Sequence, residues 1–87
     1  GWRTSNWLGS FKPFENGWIY HAQIGWLNAQ SDGKEGLWLW HSEFGWIWST
    51  SGVYPHLYRH QTSGWLYYML KRAEKAYFYD YNTQSIR

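Results

Sequence analysis

A gapless internal repeat constrains the fold of this chain more than any other feature of its sequence. Residues 18–31, WIYHAQIGWLNAQS, align with residues 38–51, WLWHSEFGWIWSTS. The alignment pairs Trp18 with Trp38, His21 with His41, Gly25 with Gly45, Trp26 with Trp46 and Ser31 with Ser51. A chain of 87 residues with a repeat of about 20 residues is predicted to be one small domain made of adjoining copies of one supersecondary unit.

Two further copies and a fragment extend the repeat through most of the chain. In the third copy, residues 57–68, His60 takes the place of His21, and in a degenerate fourth copy, residues 77–86, Asp80 does so. We therefore predict a single domain, residues 1–87, with repeats near 18–36, 38–56, 57–76 and 77–87 and a partial repeat at 6–16.

The repeated unit has the signature of a β-hairpin. Short segments rich in aromatic and β-branched residues, such as WIY, WLW, WIW, WLYY and YFY, alternate with turn-forming residues. No segment has a sustained helical period, and residues 68–76 are expected to be a loop or a strand extension. The sequence thus predicts an all-β antiparallel meander of about four hairpins. A curled sheet, a small barrel and a β-solenoid remain open alternatives.

Alternation along the predicted strands separates an aliphatic face from an aromatic one. The aliphatic face is expected to contain the pairs Ile19 with Leu27, Leu39 with Ile47, Tyr58 with Leu66 and Phe78 with Ile86. Aromatic residues make up 24% of the chain, which is more ring surface than one small core can hide. The predicted ligand or interface residues on the aromatic face are Trp18, Tyr20, Trp26, Trp38, Trp40, Trp46, Trp48, Trp65, Tyr67 and Tyr79.

The repeated histidine position admits two interpretations. Because His and Asp are metal ligands, the set His21, His41, His60 and Asp80 suggests a metal site. However, equivalent residues of successive hairpins lie two strands, about 10 Å, apart, whereas the ligands of one metal must all reach within about 2.1 Å of it. His and Asp also accept hydrogen bonds from turn amides. We therefore predict that these four residues cap turns, and that the chain holds no metal and no cofactor.

Catalysis finds little support in the sequence. Most of the six carboxylates are expected in solvated loops, and no nucleophile motif, phosphate loop or dinucleotide fingerprint is present. The net charge of +2 supplies no basic groove of the kind that nucleic-acid platforms need, and no apolar run approaches the roughly 20 residues of a membrane span. The chain is thus predicted to be a non-catalytic module that binds no nucleic acid and has no membrane span.

Two functional classes remain. Rows of Trp and Tyr can bind a glycan by stacking on sugar faces, or hold choline-like groups by cation–π attraction. Alternatively, the aromatic face and the edge strands could pack on other copies of the chain and build a homo-oligomer or polymer, as in an extracellular filament or surface layer. The rings could also form the core of a small barrel.

The order GW (25–26), SDGKEG (31–36), LWLW (37–40) and GW (45–46) is similar to the Gly-Trp hairpin repeats of choline-binding and glucan-binding cell-wall modules. A closer resemblance is to the tryptophan-rich C-terminal domain of secreted proteins of Verrucomicrobia and related bacteria. The segments that resemble it are GWIYHAQIGWL, LWLWHSEFGWIW and YFYDYNTQ. The first resemblance implies a β-solenoid with ligand contacts such as Trp26 with Trp38 and Trp40. The second implies an extracellular or cell-surface location.

Overall fold

The computed structural model describes residues 1–87 as one antiparallel sheet in which every strand pairs with its neighbours in sequence. The ten strands are β1 Arg3–Ser5, β2 Gly9–Pro13, β3 Trp18–His21, β4 Gly25–Ser31, β5 Leu37–His41, β6 Gly45–Ser49, β7 His56–Arg59, β8 Gly64–Arg72, β9 Lys75–Asp80 and β10 Ser85–Ile86. The predicted all-β meander is confirmed. Because β1 and β10 are not paired with each other, the sheet is open and the small-barrel alternative is wrong.

Helical structure is limited to one short 3₁₀ turn, Glu15–Gly17. No helix of the chain is long and apolar enough to cross a membrane. Residues 68–76, expected to be a loop or a strand extension, form the ends of β8 and β9 and the tight turn between them. Ala73 and Glu74 occupy this turn with φ angles of 52° and 64°, the left-handed conformation typical of two-residue hairpin turns.

The predicted register is confirmed in the two best-matched repeats. Ile19 lies opposite Leu27 and Leu39 lies opposite Ile47, as the gapless alignment indicates. In both hairpins three residues separate the histidine from the glycine that faces it, Gly25 or Gly45. Equal turn lengths therefore give equal registers.

The predicted register is wrong in the last two hairpins. Leu66 lies opposite Leu57, and the predicted partner Tyr58 lies opposite Trp65. Four residues, 60–63, separate the facing residues at this turn instead of three, so the pairing shifts by one.

The last hairpin has a turn of the same length, residues 81–84. Ile86 consequently lies opposite Tyr79. Phe78, the predicted partner of Ile86, instead exchanges two backbone hydrogen bonds with Arg87, of 2.9 and 2.7 Å.

The core lies on the aliphatic face and beneath the turns. Its strand residues are Ile19, Leu27, Leu39, Ile47, Leu57, Leu66 and Phe78, and its turn residues are Leu8, Ile24 and Phe44. Each such side chain contributes about 1.5–3 kcal/mol of hydrophobic stabilisation when fully buried. The turn residues occupy the last position of the three-residue turns, so each turn closes over the end of the core.

Side chains on this inner side also join parts of the sheet that are several strands apart. The rings of Phe44 and Phe78 lie 5.1 Å apart between centroids, and those of Trp7 and Tyr54 lie 5.8 Å apart. Lys71 Nζ donates to the carbonyl of Ala22 at 3.2 Å. The tryptophans of β3 to β6 alternate along the strands with the buried aliphatic residues, so they occupy the opposite, outward-facing side of the sheet.

Candidate functional site

The aromatic face is a set of cross-strand ladders. The facing pairs are Tyr20 with Trp26, Trp38 with Trp48, Trp40 with Trp46, and Tyr58 with Trp65. Many of these rings keep contact with water; Trp26, for example, is 51% exposed and Trp46 is 39% exposed. A domain of this size rarely leaves so much aromatic surface uncovered unless it binds something.

Three tryptophans and three side-chain amides surround a cleft of about 470 Å³, which we call the central cleft. Its lining residues are Trp18, Trp40, Trp46, Asn16, Asn28 and Gln30. The rings of Trp18 and Trp40 are 6.1 Å apart and nearly perpendicular, at 84°. None of the six side chains carries a charge, so the cleft combines apolar ring surface with neutral hydrogen-bonding groups.

A short chain of hydrogen bonds holds the amides in place. Asn28 Nδ2 donates to the Asn16 carbonyl at 3.1 Å, and Gln30 Nε2 donates to Asn28 Oδ1 at 2.8 Å. Each amide has a second N–H and further lone pairs, which leaves Gln30 Oε1 free to accept from a ligand. Gly17 makes room for this chain, because a Cβ there would lie 2.6 Å from Gln30 Nε2 and its φ is +85°.

Two further depressions adjoin the central cleft and share lining residues with it. An outer depression of about 660 Å³ shares Asn16 and Trp18 with it and adds Phe14 and Trp26. Pro13 and Glu15 complete the lining of this depression. A turn-side depression of about 220 Å³ shares Trp46 with the central cleft and adds Trp38 and His60. The structure therefore brings five of the ten predicted aromatic residues together: Trp18, Trp26, Trp38, Trp40 and Trp46.

Two other predicted residues support this face without lining the cleft. The Tyr20 ring lies between those of Trp2 and Trp26, at 6.4 and 5.3 Å. Trp48 donates its indole N–H to Asp32 Oδ2 at 2.9 Å. This hydrogen bond is the main reason that the pKa of Asp32 is lowered, with the backbone N–H groups of Lys34 and Gly36 adding to it. Trp48 is thus anchored to the loop that follows β4.

The remaining predicted residues, Trp65, Tyr67 and Tyr79, lie on β8 and β9 and do not line the cleft. The Tyr67 ring contacts His56 at 4.8 Å between centroids, and Trp65 contacts Tyr58 at 5.3 Å. His56 is the first residue of β7. These rings form a separate aromatic group toward the β10 edge of the sheet.

At the repeated histidine position, side chains close the turns. Nδ1 of His21 accepts from the backbone N–H groups of Gln23 and Ile24, both at 3.1 Å. Nδ1 of His41 accepts from Glu43 and Phe44 at 3.1 and 3.4 Å. Three of these four distances lie in the usual range for hydrogen bonds, and the fourth, from Phe44, is long; all four require an unprotonated Nδ1 as the acceptor.

Asp80 acts in the same way in the last hairpin. Its Oδ1 accepts from Asn82 N at 2.9 Å and Thr83 N at 3.3 Å, and its Oδ2 accepts from Arg87 at 3.2 Å. Ser5, which the sequence did not single out, accepts from two amides of the first turn through Oγ, at 3.2 and 3.1 Å.

Burial lowers the pKa of both capping histidines. For His21, the hydrogen bond from the ring to the Leu8 carbonyl, 2.6 Å long, opposes this shift. For His41, the positive charges of Lys75 and Arg59 lower the pKa further, and the negative charge of Glu43 opposes them. A lowered pKa favours the neutral ring, which is the form that can accept the turn amides through Nδ1.

The assignment of His60 to the capping set is wrong. The one-residue shift puts Arg59 in the inward position that His21 and His41 occupy, and His60 lies in the exposed turn. The His60 ring makes an edge contact with Trp38 at 6.0 Å and accepts no turn amide. Arg59 instead donates to the Phe44 carbonyl at 3.0 Å.

Replacement of His60 should therefore have little effect on stability. We expect His60→Ala to change the free energy of unfolding by less than about 0.5 kcal/mol, as for other surface residues, because its ring contact with Trp38 lies in an exposed turn and it accepts no turn amide. His41→Ala should cost about 1–3 kcal/mol, because it leaves two turn amides without their acceptor. Urea unfolding of both variants, followed by fluorescence, measures the difference; equal losses would contradict the distinction.

A further cavity of about 380 Å³ lies on the inner side, between the first two turns and the segment before β7. His21 and Tyr54 line it, and burial raises the pKa of Tyr54 to about 12. Because both ring nitrogens of His21 already have partners, this cavity offers no free histidine for chemistry. No three His, Asp or Glu side chains lie close enough together to hold a metal ion.

Sequence reasoning missed the polar half of the central cleft. Asn28 and Gln30 lie two and four residues after Trp26 on β4, so alternation places them on the aromatic face. That signal was present in the sequence. Asn16 and Phe14 lie in the connection between β2 and β3, whose conformation no pattern specifies.

No family model, curated protein or solved structure gives a match to the chain. The functional interpretation consequently rests on the geometry of the central cleft and its surroundings.

Proposed function

We propose that the protein is a non-catalytic glycan-binding module that holds an uncharged sugar in the central cleft. One observation carries the proposal: three tryptophans and three neutral amides converge on the same depression, and no charged side chain lines it. Ligand sites commonly combine apolar and aromatic walls with a few well-placed polar groups.

The two kinds of lining residue match the two kinds of surface on a sugar. The C–H face of a pyranose ring is apolar and packs on an indole, whereas its hydroxyl groups donate and accept hydrogen bonds at the rim. Asn28 and Gln30 offer both donors and acceptors, and they already hold each other in position. Little side-chain entropy is then lost when a sugar binds.

The shape of the sheet supports an outward role for the aromatic face. Strands β6 and β9 are three steps apart, about 14 Å in a flat sheet. Phe44, in the turn before β6, nevertheless reaches within 5.1 Å of Phe78 on β9. We infer that the sheet curls around its aliphatic face, which directs the tryptophans to solvent.

The resemblance to Gly-Trp cell-wall modules and to the tryptophan-rich domain of secreted bacterial proteins favours an extracellular or cell-surface setting. In that setting the glycan would be a component of a cell wall or cell surface. This location is part of the proposal and rests on the amino-acid sequence of the repeats, residues 16–85.

The proposal is tested with Trp40→Ala, which removes one wall of the central cleft. Affinity electrophoresis through gels with soluble neutral polysaccharides, followed by calorimetric titration with the retained ones, should show at least tenfold weaker binding, about 1.4 kcal/mol. Trp65→Ala is the matched control. The exposed fraction of Trp65 is similar to that of the cleft residue Trp46, but Trp65 lies outside the cleft. It should bind as the unmodified protein does.

Two results would contradict this function. One is the absence of any retained neutral polysaccharide, and the other is equal loss of binding in both variants. Retention on a choline matrix without retention by polysaccharides would assign the aromatic face to a quaternary ammonium ligand instead.

Self-association is the second candidate function, and the aromatic group near the β10 edge favours it. Trp65 is 38% exposed and Tyr67 is 36% exposed, although neither lines the central cleft. The edge strands are less suited to joining copies of the chain. Strand β1 has three residues and β10 has two, and short edge strands resist pairing between molecules. Under this alternative the Trp faces, more than the edges, would join the copies.

Light scattering and negative-stain microscopy of the purified protein separate the two candidates. A monomer near 10.6 kDa is expected for the binding module. A defined large oligomer or fibres that Trp65→Ala dissolves would favour the structural role.

A further inference from the structure

The three depressions of the aromatic face share lining residues, and this continuity defines the length of ligand that the face can hold. Asn16 and Trp18 belong both to the outer depression and to the central cleft, and Trp46 belongs both to the central cleft and to the turn-side depression. The depressions therefore adjoin one another in a row, which we call the trough. It runs across the strands from Phe14, before β3, to His60, after β7.

Aromatic rings recur along the whole trough. Phe14 contacts Trp26 at 4.9 Å in the outer depression, Trp18 contacts Trp40 at 6.1 Å in the central cleft, and Trp38 contacts His60 at 6.0 Å in the turn-side depression. A trough with rings at each stage offers a stacking surface to successive sugars. A single pocket closed at both ends would hold only a chain terminus.

The tilt of the two rings within each contacting pair favours a single chain. The interplanar angles are 53° for Phe14 with Trp26, 84° for Trp18 with Trp40 and 90° for Trp38 with His60. Coplanar rings would suit the flat surface of a crystalline polysaccharide. Rings at steep angles form the walls of a groove, into which one flexible strand fits.

The charges of the trough favour a neutral chain. Glu15 is the one carboxylate that lines it, and no Lys or Arg side chain does so. The ammonium group of Lys12 lies 5.6 Å from the Phe14 ring, at the outer end. An acidic polysaccharide would find no row of cations to neutralise its charges.

We propose that this trough binds the interior of a linear, uncharged polysaccharide as a single soluble strand, spanning the outer depression, the central cleft and the turn-side depression. The inference rests on the proposed glycan-binding function and specifies its ligand: a chain several sugars long, bound along its length and independently of its ends.

Calorimetric titration with cello-oligosaccharides and chito-oligosaccharides tests this, using a disaccharide, a tetrasaccharide and a hexasaccharide of each. Affinity should rise at least tenfold from disaccharide to hexasaccharide. Phe14→Ala, which trims the outer depression at a side chain that is 47% exposed, should lower hexasaccharide affinity about tenfold and disaccharide affinity less than twofold. Trp65→Ala should leave both affinities as they are.

Each contrary outcome has its own meaning. If the disaccharide binds as tightly as the hexasaccharide and Trp40→Ala still abolishes binding, the extended trough is wrong and the glycan-binding function stands. Retention on crystalline cellulose or chitin without affinity for the soluble hexasaccharides would also overturn the single-chain inference. If no saccharide binds in solution or on solid supports, the proposed function itself is wrong.

Discussion

Phe44→Ala should lower the free energy of unfolding by about 3–5 kcal/mol, the loss typical of a buried phenylalanine. The Phe44 side chain is 0% exposed. Its ring lies 5.1 Å from that of Phe78 and 4.9 Å from that of His41. The guanidinium groups of Arg59 and Arg87 lie 5.3 and 5.6 Å from the same ring centre. Truncation would open a cavity between the middle of the sheet and its C-terminal hairpin.

Small domains have little stability to lose, so Phe44→Ala is expected to be largely unfolded in water at room temperature. Phe44→Leu keeps most of the volume and should remain folded with a measurable loss. Phe14→Ala is the control, because Phe14 is an exposed phenylalanine. Urea titrations read by fluorescence provide the comparison, and a loss below about 1 kcal/mol in Phe44→Ala would contradict the central packing role.

Acidification below pH 6.5 should destabilise the protein, because His21 and His41 cap their turns as neutral acceptors. Burial lowers the pKa of both below the usual 6.5, so the unfolded chain takes up protons before the folded one does. The stabilisation is therefore complete above pH 6.5 and is lost as the pH falls from there toward the pKa values of the folded state.

Urea unfolding at a series of pH values between about 7.5 and 5 measures this effect. His41→Asn keeps an acceptor for the turn amides without titrating in this range, so it should fold and lose part of the pH dependence. His60→Ala should keep the full dependence, since His60 caps no turn. A free energy of unfolding that stays constant from pH 7.5 to 5 in the unmodified protein would refute the role of the neutral caps.

The strand content and the division into two faces could be predicted from the sequence because both follow from alternation. Leu27 and Leu39 are fully buried, as the pattern required. The registers of the last two hairpins could not be predicted by aligning their sequences with the first two repeats. His60 resembles His21 in sequence, but Leu57 is the inward residue of β7, and alternation from Leu57 makes Arg59 inward and His60 outward.

The candidate site was predictable only in its aromatic part. Ten rings were expected on one face, and the sequence contained no information on which of them would share a depression. That choice depends on the connection between β2 and β3, where Asn16 has a φ of 60° and Gly17 a φ of 85°. These two left-handed residues turn the chain so that Asn16 reaches the central cleft beside Trp18.

A strictly sequential strand order has an evolutionary consequence. Because every strand pairs only with its neighbours in the chain, duplication or deletion of one hairpin leaves all other pairings unchanged. Genes that encode such proteins can therefore change by one repeat of about 20 residues, or about 60 nucleotide pairs, at a time. Natural selection could in this way lengthen or shorten the aromatic face without changing the fold.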